Sequence, residues 1–411
     1  MKKELKYYLI GIFALIFFLV IGFIFLRTHL KEKVTPTEEE LRPTEYQASK
    51  IINVSEIVNF GTAISKKVDE SSYLVKNNSF LTLRNSAITK EEGDSSNNDL
   101  SNTTGLNATI LVTYNCGLKI FNSKLTSQAN GSHGIFINGQ KATGEIEDTT
   151  IETFNQHSAA LTVINTATAE VKHATLTTKV KYSPALNTGV DSTIKIDDSL
   201  IETQGSSSPI IYNRGTVNLA NTTGTANGSR VAIVDSNSTL TINNSTMLAS
   251  GGGEEDATEG ALLIKGSGKS TITINNSSIN LNKNLPYYDI APVFLIDNTT
   301  TEITLYNTAF NFGSAILISA TNSNISLNLN NQITSGSLNL DDNSSLNMFL
   351  TNNSSYTGTI NNNKTNIKIS KDSELNLTND INIGALDNED ETNGNIITNG
   401  YHLYVNGNLV K

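Results

Sequence analysis

Leu240–Met247 reads Leu-Thr-Ile-Asn-Asn-Ser-Thr-Met, and near-copies of this stretch recur through most of the 411-residue chain. We take Ile242 as the anchor of the repeat. Its counterparts are Leu83, Ile120, Ile146, Val171, Ile196, Leu219, Ile274 and Leu305. The spacing ranges from 23 residues, between Ile196 and Leu219, to 37 residues, between Leu83 and Ile120. Strand-like fragments that recur at this period indicate a solenoid, in which each repeat packs on its neighbours.

Each repeat combines strand and turn signals. The residue two before the anchor is usually aliphatic, so two side chains face one side of a short strand. The residue two after the anchor is Asn or Asp in eight of nine copies, and a hydroxyl residue usually follows it. These polar residues favour a turn and tolerate left-handed dihedrals. The nine turn residues are Asn85, Asn122, Asp148, His173, Asp198, Asn221, Asn244, Asn276 and Asn307.

Two more apolar segments complete the repeat, one beginning five residues after the anchor and one after a loop, such as Leu262–Ile264. Three strands per repeat predict an all-β protein, a right-handed parallel β-helix. The turn residues of successive coils would then form an Asn ladder, or they reflect turn preference alone. Opposite charges would face each other across coils, as for Lys119 with Glu145 and Glu170 with Lys195.

The sequence divides into a membrane-anchored start and a long repetitive body. Leu9–Leu26 is uncharged and long enough to cross a bilayer as a helix, and no small-residue cleavage site follows it. We therefore predict a cytoplasmic tail (1–8), a transmembrane signal-anchor (9–26), a polar stalk (27–50), an N-terminal cap (51–72), a β-helix with variable loops (73–321) and a tightly repeated β-helix with a C-terminal cap (322–411). The repeats would lie outside the cell membrane.

Composition narrows the classes of molecule that the chain could bind. The net charge of −10 and the pI near 5.1 argue against nucleic-acid binding, which needs a basic surface. Cys116 is the single cysteine, so the chain forms no internal disulfide.

The repeats resemble a known family. The Leu-Thr-Ile-Asn-Asn-Ser units, Gly260–Ile264, Ser354–Ile360 and Thr398–Gly407 are similar to segments of bacterial adhesin-like surface proteins. This resemblance implies the right-handed β-helix of the pectate-lyase-like superfamily and covers about residues 73–411. It is specific for the fold and says little about function, because one fold carries lyases, hydrolases, adhesins and inert stalks.

Catalytic residues are not expected. Polysaccharide-cleaving enzymes need clustered carboxylates with a cationic group near the bond that breaks. Asp197-Asp198 and Asp341-Asp342 follow the strand and turn pattern, which favours a structural role. His133, within Ser-His-Gly, is interpreted as a lone loop histidine, and the five histidines show no metal-ligand spacing.

A binding site is expected on the loops that follow the second strand. These loops are long at Lys90–Ala108, Ser250–Gly260 and Asn282–Pro292 and would emerge along one edge of the rod. The last two would bring together Glu254, Glu255, Asp256, Glu259, Tyr287, Tyr288 and Asp289. Such a loop site could stack a sugar on tyrosine or hold a divalent ion such as calcium, with no other cofactor expected. The alternative is a solvated acidic loop whose tyrosines fold back on the rod.

The leading hypothesis is a membrane-anchored extracellular β-helix that acts in adhesion or as a rigid surface scaffold, with a cell-surface or matrix glycan or protein as its partner. The alternative is a polysaccharide-binding or polysaccharide-cleaving β-helix enzyme. Ice binding would need a flat array of outward threonines. Thr241, Thr273 and Thr304 begin such a column, but Glu170 and Lys195 occupy it in earlier coils.

Overall fold

The computed structural model describes residues 45–250, 260–284 and 288–411. The predicted tail, transmembrane span and most of the stalk fall in Met1–Thr44, outside these residues. Within the described part of the chain, no helix is long and apolar enough to cross a membrane.

Three long parallel sheets run side by side along the stack. Sheet A has twelve strands: β1 (Gln47–Ile52), β4 (Glu70–Val75), β7 (Ile110–Val112), β10 (Ile135–Asn138), β13 (Leu161–Ile164), β16 (Leu186–Thr188), β19 (Ile211–Asn213), β22 (Ala232–Val234), β25 (Leu262–Lys265), β28 (Phe294–Asp297), β31 (Ile316–Thr321) and β34 (Ser337–Leu340). Each strand pairs with its counterpart from the next coil rather than with its neighbour in the sequence.

Sheet B contains the anchor residues and has fourteen strands: β2 (Glu56–Asn59), β5 (Phe80–Arg84), β8 (Gly117–Phe121), β11 (Thr143–Glu147), β14 (Thr168–Lys172), β17 (Thr193–Asp197), β20 (Thr216–Ala220), β23 (Thr239–Asn243), β26 (Lys269–Asn275), β29 (Thr300–Tyr306), β32 (Asn324–Asn330), β35 (Ser345–Thr351), β37 (Thr365–Ile369) and β40 (Ala385–Asn388). At the strand spacing of about 4.8 Å, thirteen steps correspond to a rise of roughly 60 Å.

Sheet C has ten strands: β3 (Thr62–Ser65), β6 (Ala87–Lys90), β9 (Lys124–Ser127), β12 (Thr150–Thr153), β15 (Thr175–Thr178), β18 (Leu200–Thr203), β21 (Thr223–Ala226), β24 (Thr246–Ala249), β27 (Ser278–Leu281) and β30 (Ala309–Asn311). A separate sheet replaces it in the tight region and contains β33 (Ile333–Ser335), β36 (Ser355–Gly358), β38 (Glu374–Leu377) and β41 (Ile396–Ile397). The last sheet contains β39 (Ile381–Ile383), β42 (Leu403–Val405) and β43 (Asn408–Leu409). The described part thus has the stacked parallel sheets of a β-helix solenoid.

The predicted register of the repeat is confirmed. Ile242 lies opposite Leu219 on one side and Ile274 on the other, and Ile274 lies opposite Leu305. All four side chains are fully buried. The core is therefore a set of aliphatic columns that run along the stack, each residue covered by its counterparts above and below.

The turn residues adopt the left-handed conformation that their composition predicts. All nine have φ between 43° and 50°, and His173 shares this conformation with the Asn and Asp residues of the column. Some amides also bond along the stack. Asn122 donates to Asn85 at 2.6 Å and Asn307 donates to Asn276 at 3.0 Å. All nine residues therefore show the turn preference, and the amide bonds of a ladder form at some of the coils.

The coils begin earlier than the sequence pattern indicates. Residues 47–50 were expected to end the stalk, and residues 51–72 were expected to be a less regular cap. Instead β1, β2 and β3 form a coil that pairs in parallel with β4, β5 and β6. Ile57 and Ile64 are exposed, whereas the inward residues of β3 are the small Ala63 and Ser65, so the repeat signal is faint even though backbone pairing continues.

Candidate functional site

Each of the three long loops connects a strand of sheet C to the next strand of sheet A, and residues 251–259 and 285–287 of the second and third loops lie outside the described residues. The first of them, Lys90–Ala108, contains the short helix α1 (Asn98–Thr104). Gly105, which ends this helix with φ of 80°, lies so close to Leu111 and Phe136 that a Cβ there would come within 2.7 Å of both side chains. Tyr46 donates its hydroxyl to the Thr104 carbonyl at 3.1 Å. This loop therefore covers apolar side chains on the outer face of sheet A.

The predicted loop site is described only in part. Glu254, Glu255, Asp256, Glu259 and Tyr287 lie outside the described residues. Tyr288 is half-buried and packs against the core, with its ring over Gly313 and its hydroxyl donating to Asn311 Oδ1 at 3.3 Å. Asp289 is exposed. Tyr288 is thus held against the rod, and the loop site remains a prediction.

His133 lies on a loop, between β9 and β10, as the sequence predicts, and its side chain is buried. Its Nδ1 lies 3.1 Å from the hydroxyl of Thr162, and its ring meets Phe136 edge-on with centroids 5.1 Å apart. Its Nε2 is buried and forms no hydrogen bond with the described residues. Burial, assisted by the nearby charge of His157, lowers the pKa of His133 to about 3. The ring is therefore neutral at physiological pH and belongs to the packed interior.

The turn column places His173 next to two carboxylates from the neighbouring coils. The His173 ring lies between two carboxylates, with Nδ1 3.6 Å from Asp148 and Nε2 3.6 Å from Asp198. Glu147, Asp148 and His173 each offer a ligand atom within 4.8 Å of the others. Such a set could hold a divalent transition ion. The signal was present in the sequence, since Asp148, His173 and Asp198 are each one coil apart.

The aspartate pairs occupy the structural positions that the pattern predicts. Asp197 ends β17 and accepts a hydrogen bond from Asn221 Nδ2 at 2.7 Å, while Asp198 occupies the left-handed turn. Asp341 accepts from the Ser344 hydroxyl and from the backbone of Asn322, and these bonds, the hydroxyl first, lower its pKa. The carboxylates of Asp197 and Asp341 thus accept hydrogen bonds that stabilise a strand end and a turn.

A groove on the outer face of sheet B was not foreseen. It consists of two depressions, of about 560 Å³ and about 450 Å³, that share Ala220 and Asn243. The larger is lined by Ala220, Asn243, Asn244, Asn275, Asn276, Thr304, Tyr306 and Asn330. The smaller is lined by Glu170, Val171, Lys172, Lys195, Ile196, Asp197, Asn218, Leu219, Ala220, Asn221 and Asn243. We call the larger depression and the strand face beside it the amide groove.

The amide groove follows from the register of sheet B. The outward position after each anchor gives one column, which runs Asp197, Ala220, Asn243, Asn275, Tyr306 and Asn330. Ala220 leaves a gap in this column because its side chain ends at Cβ, between longer side chains on both sides. Tyr306 closes the other end and is 36% exposed. The groove is therefore a consequence of side-chain size along one column.

Charged and uncharged stretches alternate on the outer face of sheet B, since Lys269 pairs with Glu302 and Lys368 pairs with Asp387, each at 3.1 Å, in its later coils. Toward the N-terminus, Lys119 pairs with Glu145 at 2.8 Å and Lys195 pairs with Glu170 at 3.2 Å, as predicted. From β20 to β26 the outward positions in register are Thr216, Asn218, Ala220, Thr239, Thr241, Asn243, Thr271, Thr273 and Asn275, none of them charged. One of these columns continues a run of threonines from Thr143, Thr168 and Thr193. The recurring Thr-x-Thr triplets in the sequence could have predicted these columns of outward threonines.

Comparison with known proteins gives no significant match, either to a family model or to a curated sequence. The class of this protein therefore rests on the structure of residues 45–411: an elongated solenoid of stacked parallel β-sheets.

Proposed function

We propose that this chain is a membrane-anchored extracellular protein, built on a right-handed β-helix of the pectate-lyase-like type, which acts as a rigid surface scaffold with an adhesive face. The observation that carries the proposal is the continuity of the stack. Sheet B runs without a break from β2 to β40, and sheets A and C pair in parallel with the same coil-to-coil order over most of that length. A stack of this kind presents a long and regular outer face.

Two features support a scaffold rather than an enzyme. Four lysines on described strands of sheet B pair with carboxylates across coils, as Lys195 does with Glu170, so these charges form register contacts. The carboxylates of Asp197 and Asp341 accept hydrogen bonds from Asn221 and Ser344 that stabilise the fold. The uncleaved apolar segment Leu9–Leu26 supplies the anchor in this proposal.

The side of the membrane on which the solenoid lies can be tested by labelling introduced cysteines. Cys116 is the single cysteine and is fully buried, so it gives little background with a thiol reagent. Asn244→Cys places a thiol on an exposed turn, and Lys3→Cys places one before the apolar segment. A membrane-impermeant maleimide applied to intact cells should label Asn244→Cys, and it should label Lys3→Cys only after the cells are permeabilised.

The reverse pattern, with Lys3→Cys labelled on intact cells and Asn244→Cys protected, would place the solenoid inside the cell and refute the proposal. The wild-type chain is the matched control, because it has the same buried Cys116 and no added thiol.

A further inference from the structure

We propose that the first coil of the stack rests in the surface layer of a lipid bilayer, with a girdle of apolar side chains at the boundary between headgroups and acyl chains. This inference rests on the membrane anchor of the proposed function and adds a second membrane contact, made by the solenoid itself. We call the following six side chains the apolar girdle: Ile51, Val54, Ile57, Phe60, Ile64 and Val68.

The apolar girdle is strongly exposed, with Val54 at 79% and Phe60 at 76%. In the described part of the chain, ten large apolar side chains are more than half exposed, and five of them fall within Val54–Val68. The other five are scattered singly over residues 114–409. Single exposed apolar residues need no explanation, whereas a cluster of them marks a contact with a protein or a membrane.

The apolar girdle surrounds the coil. Ile51 faces outward from β1 on sheet A, Ile57 from β2 on sheet B and Ile64 from β3 on sheet C. The connections that follow these three strands carry Val54, Phe60 and Val68 in turn. Every face and every corner of the first coil therefore presents an exposed apolar side chain.

Phe60 occupies a turn position that other coils give to a small polar residue. Asn59 lies opposite Arg84, so Phe60 takes the place that Asn85 has in the next coil. The two residues share the left-handed conformation, with φ of 54° and 50°. Asn tolerates this conformation and a bulky side chain does not favour it. The apolar side chain at this corner is therefore not explained by the turn.

The next coil does not continue the apolar girdle. Thr82 lies opposite Ile57 and Thr89 lies opposite Ile64. The girdle is thus one coil thick, about 4.8 Å. Apolar groups that bind at a membrane surface enter the headgroup–acyl boundary by about 5–10 Å, which one coil matches.

The backbone limits how deeply the coil can enter. Among the described strands, β1, β2 and β3 begin sheets A, B and C, so one edge of each lacks a neighbouring strand. Unpaired backbone groups need water or another partner, and hydrocarbon offers neither. The first coil is therefore held at the hydrated boundary and does not cross the bilayer.

A bilayer fits the apolar girdle better than other occupants do. A second copy stacked end to end would cover the edge of the coil and leave the outward side chains uncovered. Residues 28–44 contain three aliphatic side chains, too few to cover the girdle on every side: Leu30, Val34 and Leu41. A bilayer extends around the whole perimeter. The 20 residues 27–46 tether the coil to the predicted span, so a weak contact suffices.

The contact is apolar rather than electrostatic. Exposed charges of both signs lie in the same stretch: Lys50, Lys66, Lys67, Glu45 and Glu56. We therefore expect that the contact needs no anionic lipid and that salt, which screens exposed charges, has little effect on it.

The test places an environment-sensitive fluorophore on the full chain in phosphatidylcholine vesicles. A single cysteine replaces Ile57, Phe60 or Ile64, and the native Cys116 is fully buried and adds little background. The quencher is a lipid with a nitroxide close to the headgroup on its acyl chain. At all three positions we expect a blue-shifted emission that the nitroxide lipid lowers about twofold, as for groups at the headgroup–acyl boundary.

The matched control is Ile333→Cys, because Ile333 is 79% exposed and lies on β33 in the tight region. Its label should not be quenched. In the Ile64→Cys chain, Phe60→Asn combined with Ile57→Ser should reduce the quenching, and Ile333→Ser should leave it unchanged. These variants should melt within a few degrees of the wild type, since Asn suits the left-handed turn and the changes are exposed.

Several outcomes would overturn the inference. One is quenching at the three girdle positions no stronger than at Ile333→Cys, and another is quenching on one face of the coil only. A blue-shifted emission that the nitroxide lipid does not lower would assign the cover to the chain itself, or to a second copy if Phe60→Cys chains form disulfide-linked dimers. Quenching that is lost in high salt would assign the contact to charge.

The result is separable from the proposed anchor. A chain that floats with the vesicles and shows no quenching at the apolar girdle would keep the anchor and refute the girdle contact. A chain that does not float would refute the anchor. The labelling of Asn244→Cys on intact cells decides the side of the membrane independently of both.

Discussion

The backbone N–H of Ser245 donates to the hydroxyl of Ser277 on the next coil, at 3.1 Å. That hydroxyl in turn donates to the carbonyl of Asn275, at 2.7 Å. The same contact recurs between Ser86 and Ser123 and between Thr222 and Ser245. The hydroxyl residue after each turn therefore forms a buried column that satisfies backbone groups at the corner between sheets B and C.

Ser277→Ala should lower the free energy of unfolding by about 1–3 kcal/mol, because it leaves the buried N–H of Ser245 without an acceptor. Thr246→Ala is the control, since Thr246 is exposed on the same corner. The measurement is chemical denaturation of the full chain followed by circular dichroism. Equal stability of the two variants would mean that the hydroxyl column contributes little.

Ile242→Asp should be strongly destabilising, and Thr241→Asp should be nearly neutral. Ile242 is fully buried between Leu219 and Ile274, so the variant loses apolar contact worth roughly 2–5 kcal/mol and buries a charge. Thr241 faces outward and is half-buried. Thermal melts of the two variants compare adjacent residues on opposite faces of one strand, and similar melting temperatures would contradict the assignment of faces.

Acid should destabilise the chain through His133. The folded-state pKa of about 3 lies below the ordinary value of 6.5, so the unfolded chain binds more protons between these values. The stability that neutral His133 contributes is complete above about pH 6.5. It is lost as pH falls toward 3, with a slope of at most about 1.4 kcal/mol per pH unit.

His133→Gln keeps a polar side chain and removes the titration. Melting temperatures measured from pH 7.5 to 4.5 should therefore fall less steeply for this variant than for the wild type. Identical slopes would assign the acid sensitivity to other groups, His157 among them, whose pKa burial also lowers.

Tyr288→Ala should cost about 1–3 kcal/mol, less than the 3–5 kcal/mol of a fully buried aromatic, because Tyr288 is half-buried against the core and over Gly313. Asp289→Ala, one residue away and exposed, should change stability by less than about 0.5 kcal/mol. Denaturant midpoints of the two variants make the comparison. A Tyr288→Ala variant that is as stable as the wild type but no longer attaches to the partner surface would instead support the loop site predicted from the sequence.

The repeat determined the fold at the level of the sequence. In a solenoid each coil contacts its neighbours, so the aliphatic anchor, the turn residue and the hydroxyl must recur at every coil. The inward column through Ile242 and the left-handed turn at Asn244 could therefore be read from spacing alone. The charge pairing of Lys119 with Glu145 and of Glu170 with Lys195 followed from the same register.

Only the tertiary structure decided what the outer surface carries. Outward residues are free to vary, and their neighbours depend on how coils of unequal length align. The gap at Ala220 and the wall at Tyr306 arise from that alignment.

The irregular loops were the least predictable part, because their own packing is not repeated in the sequence. The helix at Asn98–Thr104 covers sheet A, and the loop residue His133 is buried beside Phe136, two contacts that the repeat pattern does not specify. Periodicity thus determined the core and the turns of this protein, and contacts between unlike segments determined its groove, its buried histidine and its covered face.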